Sequence, residues 1–101
     1  MDPRSIEDAT HCSAYLRDAE KAFDNQQWHH AKELYTHAIR FADAAAWVLM
    51  KRAICNFNIE EYYEVISDTG KVLKIEADNI FALEMRGRSY YLLGKIYMCL
   101  Y

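Results

Sequence analysis

Apolar residues recur with the period of an α-helix in five segments of this chain, and short polar stretches separate the segments. In the first segment, apolar side chains every three or four positions predict a helix from about Ile6 to Phe23. The same periodicity predicts helices over 28–41, 44–57 and 59–75, and a fifth helix from residue 79 onward. No segment alternates with a period of two for long enough to predict a strand. The chain is therefore predicted to be all-α.

Candidate capping residues mark several ends of these helices. Polar side chains at a helix start accept hydrogen bonds from free backbone N–H groups, and glycine after a helix end adopts the left-handed conformation easily. The predicted N-caps are Ser5 with Asp8 as its capping-box partner, Asp43, Asn58 with Glu61, and Asp78 or Asn79, and the predicted C-cap of the fifth helix is Gly94.

Three sets of residues recur at a spacing of 34 positions, which is typical of a helix-turn-helix repeat. They are the small residues Ala19, Ala53 and Gly87, the bulky residues Trp28, Tyr62 and Ile96, and the intermediate residues Ala31, Val65 and Cys99. Small side chains let helix axes approach within ~8–10 Å, so we expect Ala19 to face Ala31 and Ala53 to face Val65. The rings of Trp28 and Tyr62 are expected to fill the core. On this register one domain, 1–101, contains repeats at 12–45 and 46–79 and a partial repeat at 80–101.

Composition limits the classes of partner. The chain has 101 residues, 52% apolar, with a net charge of −3. A binding site for nucleic acid or an anionic membrane would need a clustered cationic face, whereas Lys and Arg are scattered here. No apolar run approaches the ~20 residues needed to cross a bilayer, and the first residues lack the pattern of a secretory signal. Cys12, Cys55 and Cys99 fall at apolar helix positions and are expected to be reduced packing residues.

Three short patterns contain residue types that also occur in catalytic or metal-binding sites. The tripeptide at 68–70 reads as an aspartic-protease signature, but that chemistry needs paired carboxylates on a strand-turn scaffold, and this tripeptide lies in a predicted helix. His30, Glu33 and His37 share one helix face, which an exposed polar surface explains as well as a metal site does. Cys55 has no basic or acidic partner placed by the sequence. We therefore expect no catalytic residue, no metal and no cofactor.

The segment 82–94, ALEMRGRSYYLLG, resembles the first helix of a tetratricopeptide repeat (TPR), whose familiar form is Arg-Gly-x-small-Tyr-x-x-Leu-Gly. The resemblance implies an all-α solenoid of about two and a half helical hairpins that binds other proteins without catalysis. Two features depart from the family pattern. The proline that often closes a repeat is replaced by Asp43 and Ala77, and the first repeat has Asp18–Ala19 where Leu-Gly is usual.

The resemblance also implies which side chains face the concave groove of the solenoid. Each first helix contributes five positions, and the apolar ones are expected to form a contiguous lining. The positions are Ser13, Leu16, Glu20, Phe23 and Asp24; then Trp47, Met50, Ile54, Phe57 and Asn58; then Phe81, Glu84, Arg88, Tyr91 and Leu92. The peptide-binding prediction rests on nine of these: Leu16, Phe23, Trp47, Met50, Ile54, Phe57, Phe81, Arg88 and Tyr91. The alternative is that some of them are core or are covered by a neighbouring element.

Some TPR proteins grip the acidic C-terminal tails of heat-shock chaperones with a clamp of Lys, Arg and Asn side chains. The matching positions here hold Leu16, Glu20, Lys51, Phe81 and Met85. Capture of a terminal carboxylate through charge-assisted hydrogen bonds is therefore not expected.

A narrower resemblance covers 65–74 through 82–91. These residues are similar to the TPR region of the endoplasmic-reticulum co-chaperones that carry a C-terminal J domain, the type known as inhibitor of the interferon-induced kinase. The resemblance implies a co-chaperone that holds apolar or non-native polypeptide in the lumen of the endoplasmic reticulum; without it, a cytoplasmic location is expected. An architectural adaptor for one specific partner is the alternative function, and an enzyme is the less favoured one.

The last predicted helix carries apolar residues that no second helix of its own repeat covers. A terminal repeat of a solenoid usually has a polar outer face. We therefore expect self-association through residues 83–101.

Overall fold

The computed structural model describes residues 3–41 and 44–100, and the side chains of residues 7–41 and 44–98. Within these ranges the chain forms helices and no strand, which confirms the all-α prediction. The helices are α1 (Pro3–Asp24), α2 (Trp28–Phe41), α3 (Ala46–Asn58), α4 (Tyr62–Ile75) and α5 (Ile80–Leu100). None of the described helices combines the length and apolar character that crossing a membrane requires.

Each helix packs most extensively against its neighbours in sequence, in the order α1, α2, α3, α4, α5. The molecule is elongated, with principal extents of 56 × 29 × 21 Å and a radius of gyration of 15.1 Å. A compact domain of this length has a radius of gyration of about 13 Å. Packing between successive helices in an extended row is the arrangement of a helical-repeat fold.

The turns α1–α2 and α3–α4 repeat each other bond for bond. Gln26 and Glu60 have positive φ angles of 58° and 63°, a conformation that residues other than glycine rarely adopt. The N–H of Gln27 donates to Ala22 at 2.9 Å, and 34 residues later the N–H of Glu61 donates to Asn56 at 2.9 Å. The 34-residue period seen in the side chains is thus present in the backbone as well.

Two hydrophobic clusters form the core. The first joins α1, α2 and α3 and includes Ala19 and Ala31, which are fully buried. Ala53 and Val65 are also fully buried, as close packing of these helices requires, whereas Gly87, the third small residue of the repeated set, is exposed. The half-buried ring of Trp28 packs edge-on against Phe23 at 5.3 Å between centroids. The second cluster joins α3, α4 and α5 through Leu49, Val72 and Ala82.

A charged side chain ties three helices together inside this row. Arg52 of α3 donates from Nε and Nη2 to the two carboxylate oxygens of Asp68 on α4, at 2.8 and 2.7 Å. Its third nitrogen donates to the hydroxyl of Thr36 on α2 at 3.3 Å. The Asp68 hydrogen bonds raise the pKa of Arg52 further, so the guanidinium stays charged. A bidentate pair of this geometry fixes the angle between the helices as well as their contact.

The predicted caps agree with the structure at one helix and disagree at others. The side chain of Asn79 accepts a hydrogen bond from the N–H of Ala82 at 3.0 Å, which confirms it as the cap of α5. Asn58 is wrong as a cap because α3 extends through it, and its amide donates back to Ile54 at 2.8 Å. The chain then needs the left-handed turn before α4 can begin. Asp43 lies outside the described residues.

The first and third helices also begin elsewhere than predicted. Helix α1 starts at Pro3, so Ser5 falls inside its first turn rather than at its cap; the side chain of Ser5 is outside the described set. Proline suits this position because the first N–H groups of a helix have no internal partner. Helix α3 starts at Ala46 after Ala45, which caps it without a side-chain hydrogen bond.

Gly94 does not end α5, contrary to prediction. No glycine of the chain has a positive φ, and the helix continues through Gly94 to Leu100. The continued segment is held against α4 by a hydrogen bond of 2.5 Å between the hydroxyls of Tyr97 and Tyr63. Continuation also keeps the backbone hydrogen bonds of the helix, which a turn would break. The last helix is therefore continuous at the place where the first two hairpins turn.

Candidate functional site

A groove of about 390 Å³ lies between α3 and α5. The α3 wall presents Met50, Ile54 and Phe57, which are one helical turn apart and so share a face. The α5 wall supplies side chains from the start of the helix, and Asn79, the cap of α5, also lines the groove. The complete lining is Met50, Ile54, Phe57, Asn79, Phe81, Glu84, Met85 and Arg88.

The floor of this groove is apolar and partly fixed. Met50, Ile54, Phe57 and Met85 are half-buried. The ring of Phe57 packs edge-on against Tyr62 at 5.5 Å, which holds it against the second helix of the same hairpin. Phe81 stands on the rim with 75% of its surface exposed. A ring that is this exposed beside an apolar floor gains free energy when a ligand covers it.

The rim also carries a weakly held ion pair. Arg88 Nη2 lies 3.7 Å from Glu84 Oε1, and both side chains are more than half exposed. An exposed pair of this kind contributes ~0–1 kcal/mol, so either group is free to exchange its partner for a polar group of a ligand. The groove thus offers apolar contact along its floor and adjustable charge at its edge.

A second concavity of about 150 Å³ lies at the other end of α3. It is bounded by α1, α2 and the start of α3, and the indole of Trp47 stands beside it with 49% exposure. Its lining is Cys12, Leu16, Ala38, Ile39, Ala44, Ala45, Trp47 and Val48.

A polar cluster joins α1, α2 and α3 near Phe23. Tyr35 donates a short hydrogen bond to Glu20, and Glu20 lies 3.8 Å from Lys51 Nζ. Burial, and then the hydrogen bond to Glu20, raises the pKa of Tyr35, so its hydroxyl stays a donor. Lys51 Nζ also sits 4.0 Å above the ring of Phe23. Lys51 is therefore already engaged by an anion and a ring.

The structure divides the predicted groove residues among four places. Met50, Ile54, Phe57, Phe81 and Arg88 come together in the larger groove, whereas Leu16 and Trp47 line the smaller concavity. Phe23 lies half-buried under Lys51 and packs against the first core. Tyr91, 65% exposed, lies outside both cavities with Lys95 Nζ 5.7 Å from its ring. The expected contiguous lining is thus two separate concavities.

Two residues that line the larger groove, Met85 and Asn79, were not among the fifteen groove positions predicted from the sequence. Met85 follows Phe81 by one helical turn, so its position on the α5 wall is readable from spacing alone. Asn79 enters the groove because it caps α5, which turns its side chain toward the helix start.

The residues whose types suggested catalytic chemistry, Asp68 and Cys55, are buried in the structure. Asp68 is almost fully buried, and both of its carboxylate oxygens accept hydrogen bonds from Arg52. Cys55 is fully buried, and burial raises the pKa of its thiol to about 11, which disfavours the nucleophilic thiolate. Among the residues described, no group of three or more His, Cys, Asp or Glu side chains is placed to hold a metal ion.

Comparison with known proteins finds a short similarity. No protein-family model matches the chain. A stretch of 36 residues is 54% identical to DnaJ protein P58IPK homolog B of Oryza sativa subsp. japonica, and it covers 36% of this chain and 8% of that protein. The chain is therefore similar to a small part of a much longer DnaJ protein.

Proposed function

We propose that the chain is a non-catalytic, protein-binding module of the tetratricopeptide type, and that it holds apolar segments of non-native polypeptide as part of a co-chaperone. The observation that carries the proposal is the groove between α3 and α5. Its floor is apolar, its rim ring Phe81 is exposed, and its ion pair is loosely held. The 34-residue repeat and the similarity to a DnaJ protein support the family and the chaperone setting.

The ligand that suits this groove is an extended or irregular segment with scattered large apolar side chains. Met50 and Met85 both line the groove, and the charged lining residues Glu84 and Arg88 are exposed at its edge. Methionine side chains adapt to differently shaped partners because they are unbranched and polarisable. Such a floor favours tolerance of many sequences over tight selection of one. The lumen of the endoplasmic reticulum stays a prediction that rests on the narrower resemblance alone.

Binding of a permanently unfolded protein, reduced and alkylated, tests the proposal. We expect a dissociation constant in the micromolar range for this unfolded ligand. The same ligand protein in its native, folded form should show no measurable binding. A peptide that ends in an acidic chaperone-type tail should also fail to bind, because Lys51 is engaged by Glu20. Equal binding of folded and unfolded forms would contradict the proposed ligand class. Selection of one partner protein over the unfolded ligand would favour the adaptor function instead.

A matched pair of variants tests whether the ligand binds in the groove. Phe81→Asp puts a charge on the groove rim, whereas Ile80→Asp changes its neighbour of similar exposure, 73% against 75%, which does not line the groove. Phe81→Asp should weaken binding at least about tenfold, the loss expected for one well-placed aromatic anchor, and Ile80→Asp should not. Trp47 lines the smaller concavity, so Trp47→Asp should weaken binding only of a ligand that spans both concavities, and it should not unfold the domain. Loss of helical circular dichroism in either aromatic variant would show that the ring belongs to the core.

A further inference from the structure

The outward side of α5 carries an apolar stripe whose large side chains are about half exposed, and its last ring, Tyr97, shares a hydrogen bond with Tyr63 of α4. The stripe consists of Leu83, Gly87, Tyr90, Gly94 and Tyr97, which alternate in steps of four and three residues and so lie along one line of the helix. Leu83, Tyr90 and Tyr97 are 45%, 58% and 51% exposed. We call this set the outer stripe. None of its residues is charged, and it lies on a different side of α5 from the groove residues Glu84 and Arg88.

The 34-residue repeat shows what such a face normally meets. Leu49, Ala53 and Asn56 of α3 stand 34 positions before Leu83, Gly87 and Tyr90, and they are 2%, 0% and 0% exposed because α4 covers them. In α1, the equivalent residues Ala19 and Ala22 are covered by α2 in the same way. The outer stripe is therefore the counterpart of two surfaces that the fold buries under an antiparallel helix.

Nothing in the described part of the chain packs closely against the two glycines of the stripe. A Cβ atom added at Gly87 or Gly94 would meet nothing within 4 Å, and neither residue has a positive φ. Glycine in a helix interior costs about 1 kcal/mol relative to alanine. Close approach of another helix gives both glycines a purpose, because it removes the space that a side chain would otherwise occupy.

We propose that a second copy of this chain covers the outer stripe, with the two α5 helices packed antiparallel about a two-fold axis. The alternation of large and small residues is self-complementary in this arrangement. Tyr90 of one copy lies over the partner's Gly94, and Tyr97 lies over the partner's Gly87. A parallel pair in register would instead set ring against ring and glycine against glycine, which leaves a void at each glycine.

The continuous course of α5 lengthens the outer stripe. Gln26 and Glu60 turn the chain 68 and 34 positions before Gly94, respectively, whereas α5 continues through Gly94 and carries the stripe on to Tyr97. A turn at Gly94 would remove the last ring of the stripe. The interface spans about four helical turns and is small by the standard of stable dimers, so the dissociation constant is expected at about 10–100 µM.

Sedimentation equilibrium of the full chain between about 2 and 500 µM tests the proposal. The mass should rise with concentration from 11.9 kDa toward twice that value. Tyr90→Lys should raise the dimer dissociation constant at least about 30-fold, as for loss of a central aromatic anchor. Ile75→Lys is the control, because Ile75 is equally exposed at 59% but lies at the end of α4, and it should leave the mass unchanged.

The variant Gly87→Gln tests whether the outer stripe is an interface or only an exposed surface. In a free chain this change should raise the thermal stability measured at low concentration, since glutamine favours helix and meets no obstacle. In the dimer it should weaken association at least about tenfold, because the side chain blocks close approach. A mass that stays at 11.9 kDa at every concentration overturns the proposal, and so does association that neither Tyr90→Lys nor Gly87→Gln weakens. Phe81→Asp should leave the dimer intact. A negative result for ligand binding in the groove can therefore be distinguished from a negative result for association through the outer stripe.

Discussion

Arg52→Ala removes the charge that joins α2, α3 and α4, and its effect on stability follows from burial. The side chain of Asp68 is 2% exposed and that of Arg52 is 16% exposed. Removal of one partner of a buried pair costs about 3–5 kcal/mol, because the remaining charge is left without compensation. Arg52 retains some access to water, so we take the lower end, about 3 kcal/mol. For a domain of this size the melting temperature should fall by roughly 12–24 °C.

The reverse deletion and the double replacement should behave differently. Asp68→Asn keeps a hydrogen-bond acceptor and leaves Arg52 near solvent, so the cost should be about 1–2 kcal/mol. Arg52→Met with Asp68→Leu removes both charges together and should be close to neutral, as for other buried pairs replaced by apolar residues. Urea unfolding at constant m-value measures all three. A double variant as unstable as the sum of the single variants would refute the reasoning, because the pair would then carry no coupling.

Three further predictions concern single residues. At pH 8, an alkylating reagent should modify Cys55 far more slowly than Cys12, which is only half-buried. Burial raises the pKa of Cys55 from 9.0 to about 11, so the free energy of unfolding should fall as the pH rises from about 9 to 11, because the unfolded chain loses this proton first. A Cys55→Ala variant should not show that fall. Asn79→Ala should cost about 1 kcal/mol through loss of a cap, whereas Asn58→Ala should cost less than about half of that, which urea unfolding can resolve. Gly70→Ala should raise the melting temperature, since the added Cβ meets nothing within 4 Å and α4 is continuous through this position.

The positions of the helices could be predicted from sequence because the apolar period is strong in each segment. The ends were harder. Asn58 can cap a following helix or finish a preceding one, and the outcome depends on the left-handed turn at Glu60. A glutamate in the sequence does not indicate such a turn. Gly94 can end a helix or continue it at similar cost. The contact between Tyr97 and Tyr63, which lie 34 positions apart, favours continuation.

The candidate groove was predictable in its residues more than in its shape. The repeat register named the faces of α3 and α5 that meet, and five of the nine predicted residues line one cavity. Whether Trp47 joins them depends on how α3 sits between its neighbours, which the sequence of one helix does not contain. The structure places Trp47 beside Leu16, at the opposite end of α3 from Phe57.

The most direct measurement of the central claim uses the methionine methyl groups as reporters. Met50 and Met85 line the groove, and Met98, 79% exposed at the end of α5, lies outside it. With methyl-labelled methionine and an unlabelled unfolded protein, nuclear Overhauser contacts should appear between the ligand and the methyls of Met50 and Met85, with shifts that saturate together. Met98 should keep its free-state signal when the measurement is made at a concentration too low for self-association. Contacts confined to Met98, or bound ligand without any change at Met50 and Met85, would contradict the assignment of the groove.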